Sequence, residues 1–438
     1  MTDDRIALAT EAFIYGFPLV FNLEQVERFT EHGMGSLAPA PFNVFAHAQQ
    51  LAGPKDTFVS INNDTVYSMA QVDLGAGPLR LDVPDTAGRY YVLQFVDAWT
   101  NNFAYVGDRA TGTAAQSYLL VPPGWDGDAP GDTDVIRAPT RLFSIVGRWA
   151  VAGEADLPAV RELQAQLTLT PQGDAAAPGL PALADGVRDD LLFFEKLRAW
   201  SQALPPAARD VAVQERFAPL GLLDPTSPFT APDDELVAGL AAGQTMMEEG
   251  IKHGSSPVQN GWQLIYHVFD YNSDFFEIGT LDEDQWKIAD PKLRYATRAL
   301  AARAGLWGNH GYEAAYAMVW VDADGAPLSG SGRYRLRFTE DPPCGAFWSI
   351  TMYDTPEFFL VENPIDRYSI GDRTPGLVRG ADGSLTIWMQ RDEPSDPEAR
   401  ANWLPTPEGT FRPVLRIYEP ADAVFDGRFV LPPVERVR

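Results

Sequence analysis

Asn62, Asn63, Asp64 and Thr65 stand in a row at the mouth of the run "NNDTVYSMAQVDL", with Tyr67 three residues beyond the carboxylate. Asn and Asp are poor strand residues and good turn residues. The row is therefore either a turn or a set of hydrogen-bonding groups aimed at a ligand. Three further stretches place polar groups at the end of an aromatic strand: "DAWTNNFAYVGDRATG" (97–112), "FWSITMYD" (347–354) and "NPIDRYSIGDR" (363–373). Asp97, Trp99, Asn101 and Asn102 supply an acid, an aromatic platform and two amides. Asp354 follows Trp348 and Tyr353, and Arg367 and Tyr368 come shortly after. Such sets suit a small polar or aromatic ligand: a carboxylate moves protons, amides and arginine orient, rings stack. The candidate catalytic residues are Asp64, Tyr67 and Asp97. The candidate substrate-binding residues are Asn62, Asn63, Trp99, Asn102, Arg298, Trp348, Tyr353 and Arg367, with Arg298 or Arg367 holding an anionic group. Each also has a plainer reading. Asx side chains cap turns, arginines pin loops, and tryptophans fill β-sandwich cores.

Other chemistries find little support. No GxGxxG follows a strand, and neither GxxxxGK[ST] nor HExxH occurs. The five histidines are dispersed, so neither a metal nor any other cofactor is expected. The single cysteine, Cys344, excludes an intrachain disulfide and reads as a small packed residue. A net charge of −26 repels phosphate backbones and anionic lipid, so nucleic acid and membrane surfaces are not expected partners. The N-terminal apolar run, Ala12 to Phe21, contains Gly16 and Pro18 and is shorter than the roughly 20 residues of a membrane span. With no secretory signal visible, a cytoplasmic protein is the expectation.

The elements that must position these residues follow from periodicity. Ile6, Ala9, Phe13, Gly16 and Val20 keep a helical spacing over residues 5–28, with a kink expected at Pro18. From about Thr57 to Val151 the pattern becomes short strands with turn punctuation, the signature of an antiparallel sandwich or barrel. Residues 156–310 return to helical spacing. "DLPAVRELQAQL" begins with an Asp cap, and "PKLRYATRALAARAGL" has Pro291 in its first turn. Strands resume from about Tyr312. Residues 77–107 can be laid beside 332–363, with Asp97 and Asp354 ending equivalent strands, which predicts a tandem repeat of one β-sandwich unit. The expected divisions are an N-terminal helix (1–30), a first β-sandwich domain (31–165), a helical connecting region (166–311) and a second β-sandwich domain (312–438).

The segments "NNDTVYS", "RYYVLQFVDAWTNNFAYVGDRATG", "AFWSITMYD", "RYSIGDR", "DGSLTIWMQ" and "NWLPTPEGTF" resemble a bacterial family built from two consecutive domains of unknown function, 1254 and 1214. The likeness runs over almost the whole chain, from about residue 30 to 165 and from about 315 to 425. It implies a mainly β fold of two jelly-roll-like sandwich domains with helices between and around them, and a homo-oligomer. Many relatives of that kind carry an export signal. The likeness makes "NNDTVYS" a family hallmark but brings no catalytic residues with it.

Three functions compete on these residues. The first is an enzyme on a small polar or aromatic molecule, a metal-independent hydrolase, lyase or isomerase using carboxylate and tyrosine acid–base chemistry. The second is a non-catalytic module binding sugar-like or other small ligands. The third is a structural or assembly protein whose hallmarks serve the fold.

Overall fold

The computed structural model describes residues 2–56, 60–131, 133–253 and 256–437. Thr57, the expected start of the strand-rich region, lies outside them. The N-terminal helix is longer than its periodicity predicts, running from Thr2 to His32 through Pro18. It is long and apolar enough to cross a membrane by length and composition, at mean hydropathy 1.5, which corrects the shorter span read from Ala12–Phe21. Most of that window is buried against the chain itself. Tyr15, Leu19 and Leu23 share a core with Leu197 and Trp200 of the helix Leu192–Ala203 and with Trp99. The helices Asp234–His253 and Pro291–Gly305 complete this layer. In the latter, Pro291 occupies the first turn and the Asp290 carboxylate accepts the Leu293 N–H at 2.8 Å, as a cap should. The cap expected at Asp156 does not form, because that carboxylate binds the Arg89 guanidinium instead.

Nine strands build the first β unit: β1 (Ala46–His47), β2 (Thr65–Asp73), β3 (Leu79–Val83), β4 (Tyr91–Asp97), β5 (Asn102–Gly107), β6 (Gln116–Val121), β7 (Asp134–Arg137), β8 (Leu142–Ala150) and β9 (Thr168–Pro171). Ten build the second: β10 (Val258–Gln259), β11 (Trp262–Leu264), β12 (Ala314–Val319), β13 (Arg333–Phe338), β14 (Cys344–Asp354), β15 (Ser369–Gly371), β16 (Leu385–Gln390), β17 (Trp403–Pro405), β18 (Phe411–Pro420) and β19 (Val434–Val437). The first unit orders its strands β1-β2-β8-β4-β5 and β7-β6-β3-β9. The second orders them β10-β11-β12-β18-β14-β15 and β17-β16-β13-β19. Adding ten to each strand number of the first unit reproduces the second, apart from the extra edge strand β10. Asp97 and Asp354 end the equivalent strands β4 and β14, as the repeat requires.

The sheets reach past the divisions read from periodicity. β9 lies beyond residue 165 and pairs with β3, while β10 and β11 of the connecting region extend the sheet of β12. The pairing is not wholly antiparallel either. β6 with β7 and β16 with β17 run parallel, because the connection after β6 and that after β16 each bring the chain back to the end from which it started. In each unit two sheets face one core. Val72 and Ile145 meet Leu81 and Leu120 in the first, and Ile350 and Leu415 meet Leu336 and Ile387 in the second. With its substantial helical layer the chain is mixed α and β rather than mainly β. Along β2 both faces are buried except at Tyr67.

Gly107 and Gly371 occupy equivalent corners, "VGDR" and "IGDR", at the ends of β5 and β15. A Cβ there would lie 2.3 Å from the Tyr91 carbonyl oxygen and 2.0 Å from that of Trp348. Backbone cannot yield as a side chain can, so Gly107→Ala and Gly371→Ala should each cost about 1–3 kcal/mol or more. Gly53→Ala, where nothing lies within 4 Å, should leave the melting temperature nearly unchanged.

Candidate functional site

The row at the mouth of β2 is a strap clipped onto the second unit. Asn62 Oδ1 accepts the Asp64 N–H at 2.8 Å, and Asn62 Nδ2 donates to Thr65 Oγ1 at 3.0 Å and to the Tyr418 hydroxyl at 2.7 Å. Asn63 donates to the Ala52 carbonyl and accepts from Ser369 Oγ at 3.1 Å. The Asp64 carboxylate, 6% exposed, accepts the Tyr418 hydroxyl at 2.8 Å and the Ser349 hydroxyl on its other oxygen. Tyr353 donates to the Ile61 carbonyl at 2.6 Å and receives Arg416, which also holds the Ser60 carbonyl. Asn62, Asn63, Asp64 and Tyr353 therefore come together, with both oxygens of the carboxylate already engaged by protein. Tyr67 stands directly opposite Arg148 on β8, 5.4 Å from its guanidinium. Arg148 is spent on Gln94, Asn309 and the Trp307 carbonyl.

The same seam carries chemistry that the sequence reading missed. Glu313, one residue ahead of β12 and 2% exposed, accepts the Tyr90 hydroxyl at 2.8 Å. Burial pushes its carboxyl up to about 7, against the opposing pull of Tyr90, Arg109 and Arg148. Glu419, on β18, sits in the left-handed region at φ 52°, a conformation held at a cost of about 1–3 kcal/mol. Burial first, and then the charges of Asp108 and Glu313, push its carboxyl up to about 7. Its Oε1 is buried and has no hydrogen-bond partner. Both Gly-Asp-Arg corners deliver their arginines here. Arg109 lies over the Tyr312 ring at 5.1 Å, and Arg373 over Phe347 at 3.4 Å, with Phe347 stacked on Tyr418 at 4.2 Å. Two carboxyls able to exchange protons near neutrality, flanked by cations and rings, can perform acid–base chemistry. The sequence signal is the repeated "GDR" at 107–109 and 371–373.

The remaining candidates lie elsewhere. Thr65, beside Asp64, pairs with Ala150, whereas Asp97 pairs with Phe143, seven residues away along β8. That is about 23 Å of strand, so Asp64 and Asp97 cannot serve one reaction. Asp97 is fully buried and accepts the Asn101 N–H at 2.8 Å and Asn101 Nδ2 at 2.9 Å. Burial lifts its carboxyl to about 6, opposed by Asn101 and Arg298. Trp99 donates to the Leu204 carbonyl and lies beneath Arg298 at 5.7 Å. The structure thus does join Asp97, Trp99 and Arg298. Asn102 is bound to Gln94 and to the Gly308 carbonyl. Trp348 fills the second core against Phe338.

Arg367 pins the Ala401 and Trp403 carbonyls, and with Tyr368 and Thr406 it lines a cleft of about 10 Å³, roughly the room of one water. His267 and His310, far apart in sequence, meet on Asp270 at 2.6 and 3.1 Å. Among the described residues no set of three His, Cys, Asp or Glu is arranged to hold a metal ion. Cys344 packs against the second core, and burial raises its thiol to about 12.

A family model described as Protein of unknown function (DUF1254) matches residues 42–171, and one described as Protein of unknown function (DUF1214) matches residues 313–422. Among solved structures the chain is similar to the VPA0106 protein from Vibrio parahaemolyticus. That match has 24% identity and a TM-score of 0.74, and covers 99% of this chain and 100% of that one, which shows a shared fold. A putative uncharacterized protein from Burkholderia cenocepacia shares 12% identity at a TM-score of 0.48, over 100% of this chain and 95% of that one. No curated protein matches.

Removing the strap's carboxylate tests its structural weight. Asp64→Ala strands the hydroxyls of Ser349 and Tyr418 and should lower the unfolding free energy by about 3 kcal/mol, read from urea midpoints. Combined with Tyr418→Phe, it should cost less than the sum of the two single changes by about 1 kcal/mol, because both report one interaction.

Proposed function

We propose, from the premise that the chain belongs to the family joining domains of unknown function 1254 and 1214 in tandem, that it is an enzyme of the carboxylate acid–base type working at the seam between its β units. The reaction class is hydrolysis, elimination or isomerisation of a small polar or aromatic molecule. Glu313 exchanges the proton, Tyr90 orients its carboxyl, and Glu419 is the second acid or base. Arg109 and Arg373 orient an anionic or aromatic group of the substrate at the rim. The support is the Tyr90–Glu313 bond beside a second carboxyl with an unpartnered oxygen, at an interface between two units where ligand sites commonly form. Within this reading each pair of sheets is a jelly-roll-like β-sandwich, supported by the single core each pair shares.

A second reading, a binding or assembly protein without catalysis, is favoured by the strap, whose side chains are spent on the seam.

Incubation with a mixed pool of small acids, esters, lactones and sugars, followed by mass spectrometry, separates the two. Wild type should deplete at least one compound, and the near-isosteric Glu313→Gln should slow that turnover by roughly 10²-fold or more. No depletion, or depletion indifferent to Glu313→Gln and Glu419→Gln, leaves only the second reading.

Stability against pH gives an independent check. The Glu313 and Glu419 carboxyls titrate near 7 in the fold against an ordinary 4.5, so the folded chain keeps protons that the unfolded chain releases. Their contribution is fully present below about pH 4.5 and is lost as the pH rises through 7, at about 1.4 kcal/mol per pKa unit of displacement for the buried Glu313 and less for the half-buried Glu419, which solvent screens. Urea midpoints of wild type should fall across that window, and Glu313→Gln should flatten the fall.

A further inference from the structure

Six residue steps of β4, about 20 Å, separate the seam at Tyr91 from Asp97. There the N-terminal helix, the turn after β4 and the helix Pro291–Gly305 surround a second set of polar groups. Arg298 is 4% exposed, and its Nε and Nη2 have no hydrogen-bond partner. Asp210 Oδ2 forms an ion pair with that same Nη2 at 3.9 Å, beyond hydrogen-bond reach, and the carboxylate also serves Arg294 at 3.8 Å and the Tyr295 hydroxyl at 2.6 Å. The Tyr15 hydroxyl is likewise buried without a partner, while the Thr100 hydroxyl faces that of Tyr271 outside strict hydrogen-bond geometry.

These groups share one space. The Tyr15 ring is 5.3 Å from Trp99 and 5.4 Å from Tyr295, and the Arg298 guanidinium lies over the same two rings at 5.7 and 5.5 Å. Burial lifts the Tyr271 hydroxyl to about 12, and Thr100 and Arg298 both pull it back. Thr100 has φ 69°, a genuine outlier for a β-branched residue, so the turn holds its hydroxyl there at a conformational cost.

Guanidinium nitrogens only donate, and two buried donors left unmet are costly. Their complement is an oxygen acceptor with two or more lone-pair directions, and the planar fork suits a carboxylate. Arg294 and Arg298 are already balanced in number by Asp210 and Asp97, so a monoanion fits better than a dianion. Tyr15, Trp99 and Tyr295 would flank a short apolar tail. Tyr15 also borders a cleft of about 10 Å³, the room of one water, with Ser201, Gln214 and Phe217, so a carboxylate would have to displace side chains to enter.

We propose that Arg298, Tyr15 and Thr100 form a binding site for a small monocarboxylate, separate from the seam. Calorimetric titration of the full chain with acetate, propionate and butyrate, and with inorganic phosphate as contrast, tests it. At least one carboxylate should bind saturably, at least tenfold more weakly in Tyr15→Phe and undetectably in Arg298→Met, while Glu313→Gln binds as wild type. Tyr15→Phe is the safeguard should Arg298→Met fail to fold. Its hydroxyl has no protein partner, so without ligand it should melt with wild type and lose only part of the carboxylate-induced rise. Four results would each overturn the assignment. They are the absence of saturable binding, binding indifferent to Tyr15→Phe, phosphate bound more tightly than carboxylate, and a crystal grown with carboxylate showing only ordered water against Arg298.

Discussion

One buried carboxylate fixes how the two halves of this molecule meet. Asp64 is carried by the first unit and satisfied by hydroxyls of the second, Ser349 and Tyr418. A buried charge is tolerable only when its partners are in place, and breaking such a set costs more than the set contributes. A shift of the units by one residue would therefore strand it. With that contact held, Tyr90 meets Glu313, Phe347 stacks on Tyr418, and Arg373 caps the stack while also holding the Asp64 carbonyl at 3.2 Å. The geometry of the seam carboxyls is inherited from a tie in which they take no part.

Much of the fold was legible because its signals are local. Short apolar runs with turn punctuation marked the strands, and Pro291 marked a helix start. The repeat showed itself in the shared pattern around Asp97 and Asp354. Local signals also explain the misplacements. Asp64 precedes β2 and Asp97 ends β4, and both strands run antiparallel to β8. The start of one and the end of the other must then lie at opposite edges of the sheet. Reading both as polar groups at a strand end concealed which end. Asp156 was misjudged for a related reason, since Arg89, 67 residues away, competes for its carboxylate and wins.

Glu313, Glu419 and Tyr90 were not legible because nothing near them in sequence perturbs them. Their environment is made by the opposite unit, and a carboxyl beside a strand looks like an ordinary solvated acid until its partner sheet arrives. Arg298 was legible in part, as a cation in an otherwise amphipathic helix. What the sequence could not convey was that Tyr15, from a helix almost 300 residues earlier, would stand beside it. The fold brings Asp97 and Trp99 to Arg298, which comes from a helix far along the sequence.

The separation of the strap from its acceptors bears on how the polypeptide is made. Tyr418 follows Asp64 by 354 residues and Ser349 follows it by 285. At ribosomal speeds of 5–20 residues per second, the strap is polymerised roughly 20–70 s before its last acceptor. Throughout that interval the carboxylate has only water as a partner, and the first unit's outer sheet face lacks its cover. A nascent chain interrupted before β18 lacks Tyr418, so closure of the two halves waits on translation of that strand.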